Sequence, residues 1–129
     1  MSKQILLDTD VWIEIIRENL DALHWLETLD SYPVLSGVAA IESTFGCQSA
    51  AELRDVQKKR SRAVIIWPTV EDFREATDRL SQYKLSHGIG ILDAVVAATA
   101  IRNGLALATF NIKHFRAIPE LEIIRPYDR

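Results

Sequence analysis

Four polar residues stand where the surrounding sequence is apolar, and as a set they are suited to metal-assisted hydrolysis. Asp8 follows Ile5-Leu6-Leu7, Glu42 sits within Val38-Ala39-Ala40-Ile41-Glu42-Ser43-Thr44-Phe45, Asp93 within Ile91-Leu92-Asp93-Ala94-Val95-Val96, and Asn111 follows Ala108-Thr109-Phe110. On a helix the neighbours of Asp93 three, four and seven residues on are Val96, Ala97 and Ala100, so its carboxylate projects from a face that reads as core. A buried carboxylate without a partner is costly, and the basic residues close by in sequence do not supply one for each acid. A shared divalent cation answers the deficit. Carboxylates with an amide and waters suit a hard ion such as Mg²⁺, with Mn²⁺ as substitute, whereas zinc favours His and Cys ligands that this chain lacks in close spacing. Taken singly, each residue has a plainer role: Asp8, Asn111 and Asp93 as helix caps or turn residues, Glu42 as a solvent-facing side chain. One site explains the set better than four separate coincidences.

The elements that must position these residues alternate between short apolar runs and helix-like stretches. Strands are expected at 5–7, 34–36, 64–66, 105–107 and 123–124, and helices at 11–17, 20–29, 38–49, 50–60, 70–83, 90–103 and 112–115. The strands lack strict alternation, which suits a parallel sheet buried on both faces with helices as crossovers. Thr69 followed by Glu71 and Asp72 predicts a capped, acid-rich first turn for a helix carrying Phe73, Ala76, Leu80 and Tyr83 on one side, and Asn103-Gly104 predicts the end of the helix that carries Asp93. The fold class is α/β. Asp8 and Asn111 then both lie just past strand C-termini, where open α/β sheets build their sites.

Composition narrows the function classes. The chain of 129 residues carries 15 Lys+Arg and 18 Asp+Glu, a net charge of −3, with 48% hydrophobic residues, and reads as a single soluble domain over 1–129. The acidic balance argues against coating nucleic acid by bulk charge, so such contact must be local or assisted by a cation. Cys47 is the only cysteine, which excludes an internal disulfide or multi-thiolate metal site and fits a reducing, cytoplasmic setting. No signal peptide or membrane helix is expected. His24, His87 and His114 show no sign of pairing for chemistry through a ribose hydroxyl.

The sequence resembles the PIN-domain ribonucleases, and in particular VapC-type toxins of bacterial toxin–antitoxin pairs. The resemblance is carried by Leu6-Leu7-Asp8-Thr9, Glu42 with Gly46, the block from Leu92-Asp93-Ala94-Val95 to Ala100, Thr109-Phe110-Asn111, and His114-Phe115, in order along nearly the whole chain. It implies a three-layer α/β/α domain with about five parallel strands in order 3-2-1-4-5, and Mg²⁺- or Mn²⁺-dependent cleavage of RNA by an activated water. By position Asp8, Glu42 and Asp93 match the three acidic metal-site residues. Asn111 matches a fourth position that is most often acidic, which puts a tightly held second metal in doubt. Thr9 and Thr109 match hydroxyl residues bordering the site, and Asp10 departs from the neutral polar residue usual there.

The resemblance also implies partners: a homodimer, and an antitoxin segment lying over the apolar helices that carry Trp12, Ile16, Leu23 and Trp25, with a basic side chain against the acids. The positive run Arg54, Lys58, Lys59, Arg60 and Arg62, together with Lys113 and Arg116, is the candidate track for an RNA backbone, although a solvated helix end needs no such role. Asp8-Thr9-Asp10-Val11 also satisfies the D-x-D pattern of haloacid-dehalogenase phosphatases, with Asp8 as nucleophile and Asp10 as general acid; Glu42 and Asp93 then have no role. A PIN-like binding module without catalysis is the further alternative, supported only by Asn111.

Overall fold

The computed structural model describes residues 3–129 and holds one five-stranded, all-parallel sheet in the order β3-β2-β1-β4-β5. The strands are β1 (Ile5–Leu7), β2 (Val34–Ser36), β3 (Ile65–Ile66), β4 (Ala106–Ala108) and β5 (Ile123–Ile124). The helices are α1 (Thr9–Ile16), α2 (Leu20–Glu27), α3 (Gly37–Phe45), α4 (Ala50–Arg60), α5 (Val70–His87), α6 (Ile91–Arg102) and α7 (Ile112–Phe115). In β1 successive side chains turn to opposite faces. Leu6 joins Val34, Leu107 and the inner sides of α5 and α6, while Ile5 and Leu7 join Leu35, Ala108 and the inner sides of α1, α2 and α3. Both faces are covered, which is why the strands read as continuous apolar runs rather than as an alternation.

Local chemistry sets the boundaries. Asn19, Ser36, Ser49 and Thr69 each cap the N-terminus of a helix with a side-chain oxygen, and Gly104 adopts the left-handed backbone (φ 65°) just after α6. The helix expected over 38–49 stops short: α3 ends at Phe45, with Gly46 closing onto the Glu42 carbonyl, and α4 begins after Ser49 as the separate helix expected over 50–60. Phe73, expected on the buried side of α5, is 55% exposed instead, because the inward side of that turn is taken by Asp72.

Asp72 is 1% exposed. It receives the Arg102 guanidinium at 2.8 and 3.0 Å, the Thr99 hydroxyl at 3.0 Å and the Thr69 amide at 2.9 Å, tying α5 to α6. Burial alone pushes its carboxyl up, but the Arg102 bonds, the Thr69 amide and the Thr99 hydroxyl outweigh it and hold the group below the ordinary carboxylate range.

The order 3-2-1-4-5 places β1 between β2 and β4, so the crossovers leave β1 in opposite directions and open a crevice at the C-terminal ends of β1 and β4. Leu7 pairs with Ala108 there, and the Asp8 amide continues the ladder by donating to the Ala108 carbonyl at 3.0 Å. That single bond sets Asp8 beside Thr109.

Candidate active site

The last bond of the β1–β4 ladder brings two loop beginnings into contact. Asp8 is 8% exposed and caps α1 by accepting from the Thr9 amide at 2.9 Å, while its second oxygen accepts from the Thr109 hydroxyl at 2.8 Å. The same hydroxyl accepts from the Asn111 amide at 3.0 Å and stands 3.4 Å from Asp10 Oδ2. Thr109 is fully buried and so orients Asp8 and the start of α7 together. Thr9, the first residue of α1, donates its hydroxyl to Glu42 Oε1 at 2.6 Å, which draws the otherwise exposed Glu42 of α3 toward the pocket.

Asp93 lies in the first turn of α6, where the helix N-terminus favours an anion, and accepts weakly from the Gly90 amide at 3.4 Å. His114 Nδ1 is 3.0 Å from Asp93 Oδ2 and 2.7 Å from the Asn111 side-chain nitrogen. A protonated Nδ1 donates to Asp93, whereas a bare Nδ1 accepts from Asn111, so the two contacts compete for one ring nitrogen. His114 is therefore a member of the site. In the sequence His114 stands out only as part of the His114-Phe115 pair that helps carry the resemblance, and nothing there announces its contact with Asp93.

The electrostatics are those of a pocket short of positive charge. Burial, then the neighbouring Asp10 carboxylate, push Asp8 up to about 7 against the pull of Thr109 and the Thr9 amide; Asp93 adds to the rise. Asp10 is also pushed up by burial, and the Phe110 and Val11 amides and the Arg129 guanidinium offset part of it. Among the described residues no Lys or Arg is hydrogen-bonded to Asp8 or Asp93, and Asp10 Oδ1 is buried with no hydrogen-bond partner. Oxygen donors with uncompensated charge fit a hard divalent cation. No three His, Cys, Asp or Glu side chains among the described residues stand close enough together to form a ready-made metal cage.

Other expected residues divide differently. Asp10, the general acid of the phosphatase alternative, is turned inward: its Oδ2 accepts from the Phe110 amide at 3.0 Å, a posture for holding a loop rather than for delivering a proton. Of the basic run, Lys59 donates to the Ile16 carbonyl at 2.6 Å and pairs with Asp55 at 3.0 Å, and the Arg60 guanidinium donates to the Thr44 hydroxyl. These two brace α4 against α1 and α3, while Arg54, Lys58, Arg62 and Lys113 are exposed. The expectation that Trp12 and Trp25 present a partner-binding surface is corrected. Trp12 is 2% exposed with its indole N–H on Ser43 Oγ at 3.1 Å, and Trp25 is 9% exposed. Each ring fills space between the helices and the sheet, where burial of a large aromatic yields about 3 kcal/mol; only Ile16 and Leu23 of that set remain partly accessible.

Residues 5–121 match the PIN-domain family, and the chain belongs to it. Within that family it is similar to Ribonuclease VapC10 of Mycobacterium tuberculosis, at 33% identity over 124 residues, covering 95% of this chain and 91% of that protein. Among solved structures, VapBC2 from Rickettsia felis bound to a fragment of promoter DNA superposes with a TM-score of 0.79 at 23% identity, covering 96% of this chain and 98% of that one. A toxin–antitoxin complex from Klebsiella pneumoniae gives 0.75 at 23% identity, covering 98% and 100%. These two likenesses concern the fold. The α/β/α architecture and the strand order implied by the resemblance are those observed.

Proposed function

We propose that this chain is a divalent-metal-dependent endoribonuclease acting as the toxin of a toxin–antitoxin pair. The observation that carries this reading is the meeting of Asp8, Asp10 and Asp93 in one pocket where, among the described residues, no Lys or Arg bonds Asp8 or Asp93 and His114 on Asp93 is the one basic side chain in contact, in a chain one-third identical to a ribonuclease. Asp8, Glu42 and Asp93 are the residues that would hold Mg²⁺ or Mn²⁺, with Asn111 at the border. When bound, such an ion supplies charge neutralisation at a phosphate oxygen and acidification of water. The protein's part is to hold oxygens in place. Thr109 and the Thr9 amide fix the two oxygens of Asp8, the Thr9 hydroxyl fixes Glu42, and His114 with Asn111 restrains Asp93. No side chain among them is placed as a nucleophile, so water attacks phosphorus in line with the departing 3′ oxygen. RNA with a labelled end, incubated with the purified chain and Mn²⁺, should give 5′-phosphate and 3′-hydroxyl products. Products ending in a 2′,3′-cyclic phosphate would overturn the water mechanism.

Two partner readings follow from where apolar surface is exposed. A groove between α1, α3 and α4 is lined by Ile13, Ile16 and Val56 and rimmed by Glu42, Glu52 and Asp55, with Arg17 at the C-terminal end of α1 as its one basic side chain among the described residues. An antitoxin segment with an apolar stripe and a basic residue suits it, and the basic residue would meet Glu42 at the edge of the acid pocket. A second copy of the chain suits the larger apolar face on α3, α5 and α6, where Ile41, Phe45, Trp67, Phe73 and Leu92 are each 45% exposed or more. Sedimentation at micromolar concentration is expected to give a dimer, and Phe73→Glu is expected to give a monomer. A wild-type monomer at that concentration would remove the dimer reading.

A further inference from the structure

We propose that Tyr127 and Arg129 form a clamp that positions the loop at 109–111, which Asp10 holds from the helix side, and through it aims Asp8 for cation binding. The inference rests on reading Asp8, Glu42 and Asp93 as a cation site. Phe110 is the residue held. Its amide donates to Asp10 Oδ2 at 3.0 Å, while its ring meets the edge of Tyr127 with centroids 5.0 Å apart and lies under the Arg129 guanidinium at 4.0 Å. Arg129 and Tyr127 converge on one acid: Arg129 Nη1 lies 3.2 Å from Glu14 Oε1, and the Tyr127 hydroxyl donates to Glu14 Oε2 at 3.2 Å.

Glu14 stands one helical turn beyond Asp10 on α1, so helix, loop and tail are tied at three points. The helix that carries Asp10 also anchors the tail that covers Phe110. Inside this tie lie the fully buried Thr109, whose hydroxyl bridges Asp8 and Asp10, and the unpartnered Asp10 Oδ1. If the clamp opens, Phe110 is free to swing and its amide leaves Asp10, so the backbone at Thr109, which aims Asp8, is held on one side only, by its own amide bond to the Ile124 carbonyl. Tyr127 and Arg129 are thus positioning residues; neither is bonded to Asp8, Glu42 or Asp93.

The test uses the full chain with Arg129→Gln, Arg129→Lys and, as a milder variant that keeps a neutral hydrogen-bonding group, Glu14→Gln. Two quantities are read: the Mn²⁺ concentration giving half of the maximal rise in melting temperature, and the hydrogen-exchange rate of the Phe110 amide. One stacked cation and one partly exposed ion pair set the scale, so Arg129→Gln should raise the half-saturating Mn²⁺ and the exchange rate about tenfold each. Arg129→Lys, which keeps the charge and loses the flat stacking group, should fall between. An unchanged Phe110 exchange rate in Arg129→Gln and Glu14→Gln would overturn the clamp. If the wild type shows no Mn²⁺ response, the metal-site reading fails, and with it the cation role given to the clamp. Accelerated exchange with an unmoved Mn²⁺ midpoint overturns the positioning claim as well.

Discussion

Replacing Asp93 by Asn is expected to lower Mn²⁺-dependent RNA cleavage at least about a hundredfold while leaving the fold intact. The asymmetry comes from what each contact requires. Asn keeps an oxygen that can accept from the Gly90 amide and from His114, so α6 retains its first-turn bonds. It removes the negative charge, which is paired with no Lys or Arg among the described residues and is one of the charges offered to the cation in the proposed site. The Asp8 carboxylate also loses a like-charged neighbour, so the metal-free variant should melt no lower than the wild type. In the wild type, millimolar Mn²⁺ should raise the melting temperature by several degrees through binding to the native state, and in Asp93→Asn that rise should shrink. Cleavage at the wild-type rate by Asp93→Asn, with contaminating nuclease excluded, would sink the assignment.

The largest effect on stability is expected at Asp72, far from the reaction. Asp72→Ala removes the ion-pair partner of Arg102, one of the two acceptors of the Thr99 hydroxyl (the Val95 carbonyl at 3.0 Å is the other), and the cap-side acceptor of the Thr69 amide. Asp72 is buried but Arg102 is 36% exposed and regains water when the pair is broken, so the loss is that of hydrogen bonds to a charged group, about 1–3 kcal/mol, which for a chain of this size lowers the melting temperature on the order of 5–10 °C. The sign of its pH dependence follows from linkage. The folded-state pKa of Asp72 lies below the unfolded value of about 3.9, so folding releases a proton through this group and its contribution is fully present above that pH. It is lost as pH falls through the depressed folded value. The gap in melting temperature between wild type and Asp72→Ala should therefore be widest near neutrality and narrow below about pH 4. A gap that stays constant on acidification would show that lost packing, rather than the ion pair, is what Asp72 supplies.

Asp72 also shows where reading along the chain stops. Its position after Thr69 announced a helix start, and the structure bears that out, but the pairing with Arg102, thirty residues on, has no local signature. The same limit applies to Trp12 and Trp25. A helix apolar around most of its circumference is equally suited to a partner and to burial between a sheet and a neighbouring helix, and only the placement of α2 and α3 decides for burial. The His114–Asp93 contact and the clamp on Phe110 were hidden for the same reason: each depends on side chains that come together only when the helices and strands are assembled.

What the sequence by itself determined is the set of elements, the α/β class and the residues able to carry charge at strand ends. Turn chemistry, capping and hydrophobic period act over a few residues and are written in neighbouring letters. What only the tertiary structure decided is which of those charges face one another. Sheet order brings Asp8 against Thr109 across a hundred residues, and the desolvation that lifts its carboxyl exists only once the helices close over both faces of the sheet. Electrostatic character in a folded chain depends on burial and on distances through space, and neither is a property of any local run of residues.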